Sequence, residues 1–248
     1  MKRLVNKVAI EKKNYDSTYI GVLSYHAFQL KEEGTYSGHV LHKDTLVDTF
    51  KIMVSKDSKA MQANIDFNQF DISGVRERGT QNFEVGLNGC LLLLNSNKNH
   101  PFRLKLEKPG KVPGRGVIYD TKKLDNGAIY SCVLLRPGTY EVCFKRKALG
   151  TIKVQYPTAT TDKSKLHEAI RVQVDSKGIH PSSINALPMQ GIVFEFLSAG
   201  SIQINLQKEE KPRNLLYKEA KKLRKLKKKA PLKKKYTWRN AASNQNGA

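Results

Sequence analysis

The chain has 248 residues, 39% of them hydrophobic, which is enough for one large or two small domains with a real core. Its formal net charge of +22 exceeds what solubility requires and selects polyanionic partners: nucleic acid first, then an anionic membrane or an acidic protein. Three cysteines, Cys90, Cys132 and Cys143, are too few and too unevenly spaced for a disulfide framework or a zinc knuckle, so reduced buried thiols are expected.

The first seventeen residues are basic but contain no apolar h-region, and no run approaches the roughly 18 apolar residues of a membrane span. The expectation is a soluble intracellular chain, or one carried inside a particle, without a signal peptide. Thr49–Val54 and Asn64–Ile72 are rich in β-branched and aromatic residues and read as strands. Gly89–Asn95 is a continuous apolar run between turn residues, the pattern of a strand buried on both faces, which period alone does not separate from a short buried helix. Phe102, Leu104 and Leu106 alternate with charged residues, the pattern of a half-buried strand. Lys108–Val117 is a basic glycine-rich loop in which Lys111 and Arg115 are candidates for pairing phosphates; it lacks the ending of a Walker loop, and a plain hairpin connection is the simpler reading.

Strands follow at Ala128–Leu135, Gly138–Phe144 and Gly150–Gln155, separated by the turns Asp125-Asn126-Gly127 and Arg136-Pro137-Gly138. Pro157–Lys165 is polar and reads as a linker. Ile170, Val172 and Val174 then alternate, and Gly191–Phe196 with Ser201–Leu206 suggests a hairpin. The fold class expected is mainly β: one or two antiparallel β-sandwich units, cupredoxin-like or Ig-like, plus a basic helical or disordered C-terminal tail. The segments are 1–60, a β-rich N-terminal part; 61–157, a first sandwich; 158–207, a second β unit; and 208–248, the tail. A strand–turn–strand unit at 88–106 is echoed at 190–206. Duplication and the general likeness of hairpins both account for that echo.

The order of features in 61–157 resembles a cupredoxin-type sandwich. It is carried by Gly89-Cys90-Leu91-Leu92-Leu93-Leu94, Asn99-His100-Pro101-Phe102, the run Leu135–Cys143 containing Pro137-Gly138-Thr139-Tyr140, and Gly150-Thr151-Ile152-Lys153-Val154. The resemblance places His100 and Cys143 near two copper-ligand positions. It also implies a histidine and a methionine soon after the cysteine, where this chain has Phe144-Lys145-Arg146-Lys147-Ala148-Leu149. Three cations there would repel a copper ion, so the expectation is the frame without the metal, with a copper protein as a lesser alternative. His39 and His42, three apart in a strand or turn, would face opposite sides. No metal or cofactor is expected. Glu32–Glu33 and Glu209–Glu210 lie away from any histidine or nucleophile, and no catalytic motif is present, which argues for a non-enzyme.

Lys208–Arg239 holds fifteen Lys/Arg and three Glu, +12 of the chain's +22, so the body carries the other +10. Asn214–Lys229 is built of strong helix formers, with Leu216, Ala220 and Leu223 on one stripe, and Pro231 stops it. The candidate polyanion-binding residues are Lys221, Lys222, Arg224, Lys225, Lys227, Lys228, Lys229, Lys233, Lys234, Lys235, Tyr236, Trp238 and Arg239, the two aromatics being suited to base stacking. The function expected is a structural component of a nucleoprotein or virion assembly that holds RNA or DNA. The alternative is an interaction module whose tail docks on an acidic protein partner, within a homo- or hetero-oligomer. A membrane role ranks lower because the apolar stripe is short.

Overall fold

Alternating apolar and polar residues tell a strand which face to bury but not which neighbour to take; the pairing is read from a computed structural model. It describes residues 7–70, 81–96, 100–109, 116–157, 164 and 167–210. A short helix, α1 (Lys7–Glu11), precedes β1 (Asn14–Asp16). β2 (Ser24–Gln29), β3 (Gly34–His42), β4 (Thr45–Ser55) and β5 (Gln62–Asp66) follow, with a 3₁₀ turn at Phe67–Gln69. Next come β6 (Gln81–Gly86), β7 (Cys90–Leu94), β8 (Arg103–Glu107) and β9 (Val117–Asp120). The rest are β10 (Ile129–Val133), β11 (Gly138–Phe144), β12 (Lys147–Val154), β13 (Ile170–Val174), β14 (Ile179–His180), β15 (Ser183–Ala186), β16 (Gly191–Phe196) and β17 (Ile202–Glu209).

The protein is mainly β, and its strands form three sheets. A seven-stranded sheet runs β14-β13-β16-β10-β2-β7-β5. Two five-stranded sheets run β1-β17-β11-β12-β15 and β6-β4-β3-β8-β9. One core joins all three, with Leu91, Phe194, Ile52, Leu104, Val142 and Ile204 among its buried residues. The sheets are mixed rather than antiparallel: β4–β6, β5–β7, β12–β15 and β13–β16 are parallel pairs. The expected strand buried on both faces is half-buried: in β7 only Leu91 and Leu93 are fully enclosed.

The pairing repeats. β2 pairs with β7 as β10 pairs with β16, and β5 joins β7 as β13 joins β16. β3 lies between β4 and β8 as β11 lies between β12 and β17, and β4 takes β6 as β12 takes β15. The echo noticed at 88–106 and 190–206 is one part of this larger correspondence. Local chemistry repeats with it. Gly34-Thr35-Tyr36 matches Gly138-Thr139-Tyr140, and each tyrosine hydroxyl donates to the carbonyl four residues earlier, Glu32 at 2.6 Å and Arg136 at 2.8 Å. The turns Lys43-Asp44 and Lys145-Arg146 have positive φ at both residues, the backbone of a tight two-residue hairpin.

The first strand of each repeat lies on the other repeat's sheet. β1 pairs with β17, and β9 pairs with β8. The two exchanged segments, Tyr15-Asp16-Ser17 and Tyr119-Asp120-Thr121, are anchored alike. Each aspartate Oδ1 accepts from the backbone N–H two residues on, at 2.8 Å. Ser17 Oγ accepts from Ile202 N at 2.8 Å, and Thr121 Oγ1 accepts from Leu104 N at 3.2 Å. The repeats also meet edge to edge through β2 and β10, where His26 stands opposite Tyr130 at the centre of the register. In sharing a sheet between successive repeats the chain follows the logic of a β-solenoid rather than that of self-contained antiparallel sandwiches. The strand pairing therefore divides the chain between β8 and β9, not at residues 60 and 157.

The strand that ends the body runs to Glu209, with Thr139 opposite Lys208 and Gly138 opposite Glu209. Glu210 N then donates to Pro137 O at 3.0 Å. Lys208, Glu209 and Glu210 thus belong to the body, and the polycationic segment begins at Lys211, with fourteen Lys/Arg and one Glu to Arg239.

Candidate polyanion-binding site

Three lysines from two segments converge where the second repeat closes. β9 ends at Asp120, whose carboxylate caps Lys122 N, and this tight turn presents Lys122 and Lys123 side by side. The next residue, Leu124, is buried and held to Gly200 by paired backbone bonds of 2.9 and 2.8 Å. Lys145 comes from the β11–β12 turn, where its N–H donates to Ser201 O at 3.1 Å. The three side chains line a cleft of about 580 Å³ with Ala199, Gly200 and Ser201. Its lining includes no carboxylate, and Arg146 and Lys147 are exposed beside it. Among the described residues none of these five cations forms an ion pair with a carboxylate.

Gly200 makes the approach possible. A Cβ there would lie 2.2 Å from the Phe144 ring and 3.1 Å from the Lys145 stem. The bare backbone lets the Phe144 ring pack beneath it, and Lys145 Nζ stands 4.9 Å from that ring's centroid, a cation–π contact that steadies the amine.

The other repeat is an internal control, because the scaffold is the same and the chemistry is not. The residues corresponding to Lys122, Lys123, Lys145, Arg146 and Ser201 are Thr18, Tyr19, Lys43, Asp44 and Arg103. There, Asp44 forms an ion pair with Arg103, and Asp120 adds a second at 3.5 Å. The fold therefore tolerates a charge-paired surface at this place, yet the second repeat carries cations only. Dense unpaired cations around an open cleft suit phosphate oxygens.

The cations proposed from the tail, from Lys221 to Arg239, and the loop residues Lys111 and Arg115 lie outside the described residues. The copper-like positions are not brought together into a ligand set. Cys143 Sγ lies 3.6 Å from Glu141 Oε2, and burial, then that carboxylate, raises its thiol pKa. The ring of His100 packs edge-on against His42 at 5.4 Å, and His42 Nδ1 is 3.2 Å from Pro101 O. His39 instead faces Glu107 at 3.5 Å. Among the described residues no three His, Cys, Asp or Glu side chains converge on one point. No helix there is long and apolar enough to cross a membrane.

Sequence reasoning passed over Lys122 and Lys123, and took Lys145 only as one of the cations that would repel copper. The doublet stands far from Lys145 in the chain, and only its place beside a turn signal marked it. No family model matches the chain, no curated protein matches it, and no solved structure matches it.

Proposed function

We propose that this chain is a non-enzymatic, nucleic-acid-holding protein that uses both its Lys-rich C-terminal segment and a basic cleft on the β body, as a structural part of a nucleoprotein assembly. The observation that carries the reading is the carboxylate-free cleft of Lys122, Lys123 and Lys145. The segment from Lys211 to Arg239, with fourteen Lys/Arg and one Glu, agrees with it. Such a site grips the phosphate backbone and reads no sequence, because nothing in it is shaped to a base edge. Tyr236 and Trp238 would add stacking on single strands.

The test is fluorescence anisotropy with mixed-sequence single-stranded RNA, single-stranded DNA and duplex DNA. Three proteins are compared: the full chain, a chain ending at Glu210, and a Lys122→Ser/Lys123→Ser/Lys145→Ser variant of the full chain. Ending at Glu210 should remove most of the affinity, and the triple variant a further distinct part. Equal binding by all three proteins would refute the reading. Loss confined to the truncation would leave the body without a role. Binding to an acidic protein but to none of the nucleic acids would favour the docking alternative.

A further inference from the structure

A second cleft, beside the exchanged strand β1, contains a lysine whose counterpart in the other repeat is a glycine. The cleft of about 410 Å³ lies between α1, the segment leading to β1, and the turn before β2; Val8, Lys12, Tyr19, Gly21, Val22 and Ser24 contribute to its lining. Lys12 crosses it with its stem against protein. Its ammonium donates to Val22 O and stands 4.4 Å from the centroid of the buried Tyr15 ring. Gly21 borders the amine: a Cβ there would lie in ordinary van der Waals contact, 3.4 Å from Lys12 Nζ.

Among the described residues no carboxylate lies within ion-pair distance of Lys12. Glu11 and Asp16 line the same cleft without pairing with Lys12; Asp16 is engaged elsewhere, accepting from Thr18 N at 2.8 Å and from Gln203 Nε2 at 3.1 Å. Desolvation therefore dominates and lowers the amine to about 8, only partly opposed by the nearby Cys132. A lysine so placed presents a substantial neutral fraction near neutral pH, the condition under which lysine is a nucleophile.

The repeat again separates scaffold from chemistry. The position corresponding to Lys12 is Gly116, and the one corresponding to Cys132 is Phe28, which packs on Tyr119 at 4.9 Å. Among the described residues the same strand exchange thus has no amine at that position. Ser24 Oγ is occupied with Gly21, donating to its carbonyl at 2.9 Å and accepting from its N–H at 3.1 Å, so Lys12 is the reactive group of this cleft.

We propose that Lys12 is a carbonyl-capturing amine and that its cleft takes a small, largely apolar aldehyde as an imine. The Nζ lone pair adds to the carbonyl carbon. The carbinolamine then loses the former carbonyl oxygen with two protons as water, leaving a C=N bond; no oxidant or reductant enters. Val8, Val22 and Pro101 supply apolar surface for the aldehyde's body.

The experiment is reductive trapping on the full chain with benzaldehyde and cyanoborohydride, with peptide mapping by mass spectrometry. At pH 7.5 Lys12 should be benzylated about tenfold or more faster than Lys13 or Lys122, its rate should level off above about pH 8, and it should saturate with benzaldehyde. Urea should abolish the preference. The Lys12→Arg variant, with circular dichroism to show that it folds, should lose the fast site alone. Labelling of Lys12 no faster than of Lys13, or a rate still climbing with pH like that of the other lysines, would overturn the proposal. So would a strictly linear dependence on benzaldehyde, which would mean a reactive amine without a binding cleft.

Discussion

His26 sits where the two repeats join and makes stability depend on pH in a way that can be worked out. It is fully buried, its Nδ1 lies 2.8 Å from the Tyr119 hydroxyl, and its ring meets Tyr130 edge-on at 5.2 Å. Desolvation lowers its pKa from 6.5 to about 4, partly opposed by the Tyr19 carbonyl. A depressed folded-state pKa means that the fold keeps the neutral ring. The contribution is whole above the unfolded value of 6.5 and is lost as pH falls toward 4. Linkage between those two values removes about 2 kcal/mol between pH 7.5 and pH 5, and about 3 kcal/mol by pH 4. Other groups titrate in the same range, so the informative quantity is a difference of differences. Urea unfolding at pH 7.5 and pH 5 is measured for the wild type and for His26→Gln. The wild type should lose about 2 kcal/mol more than the variant over that interval. Equal losses would show that His26 is not held neutral at the junction, and the described joint would be wrong.

Three further outcomes follow from the packing. Tyr15→Ala should cost about 3–5 kcal/mol, because the residue fastening the exchanged β1 is fully buried, and Tyr15→Phe about 1 kcal/mol for the bond to Val133 O; a Tyr15→Ala cost below about 1 kcal/mol in urea titrations would contradict the exchange. Gly200→Ala should destabilise by about 1–3 kcal/mol by overpacking Phe144, and trimming that ring with Phe144→Leu should relieve the penalty in a double-mutant cycle; simple additivity would speak against the contact. Cys132 is buried with its thiol pushed up to about 12 by desolvation, whereas Cys90 is only half-buried. Iodoacetamide at pH 8 should therefore alkylate Cys90 well before Cys132, and the reverse order by mass spectrometry would sink this placement of β10.

Much of the strand content was legible because alternation such as Phe102-Arg103-Leu104-Lys105-Leu106 states which face is buried. The partner of each strand was not legible. Nothing in Tyr15-Asp16-Ser17 says that it adds to β17 rather than to its own repeat's β8; that is decided by chain path and by Ser17 Oγ meeting Ile202 N. The duplication did leave a signal in the recurring Gly-Thr-Tyr and Tyr-Asp-Ser/Thr triplets. It was read only at 88–106 and 190–206, where apolar runs drew attention. The tail boundary was misplaced by three residues because Lys208, Glu209 and Glu210 look like tail by charge, yet continue the β17 ladder. The lysine cleft was hidden for a similar reason. Clustering in space depends on the β11–β12 turn and on the absence of a side chain at Gly200, and neither is a property of the lysines themselves.

We propose that the β body grips phosphates at Lys122, Lys123 and Lys145 in addition to whatever the Lys-rich segment does. The most direct measurement is the salt dependence of binding to duplex DNA, taken as the slope of log affinity against log salt, for the full chain and for the triple serine variant. If each lysine neutralises one phosphate, the slope should become shallower by about 2.7, that is, about 0.9 for each lost contact. An unchanged slope would contradict the claim, even if the affinity itself fell.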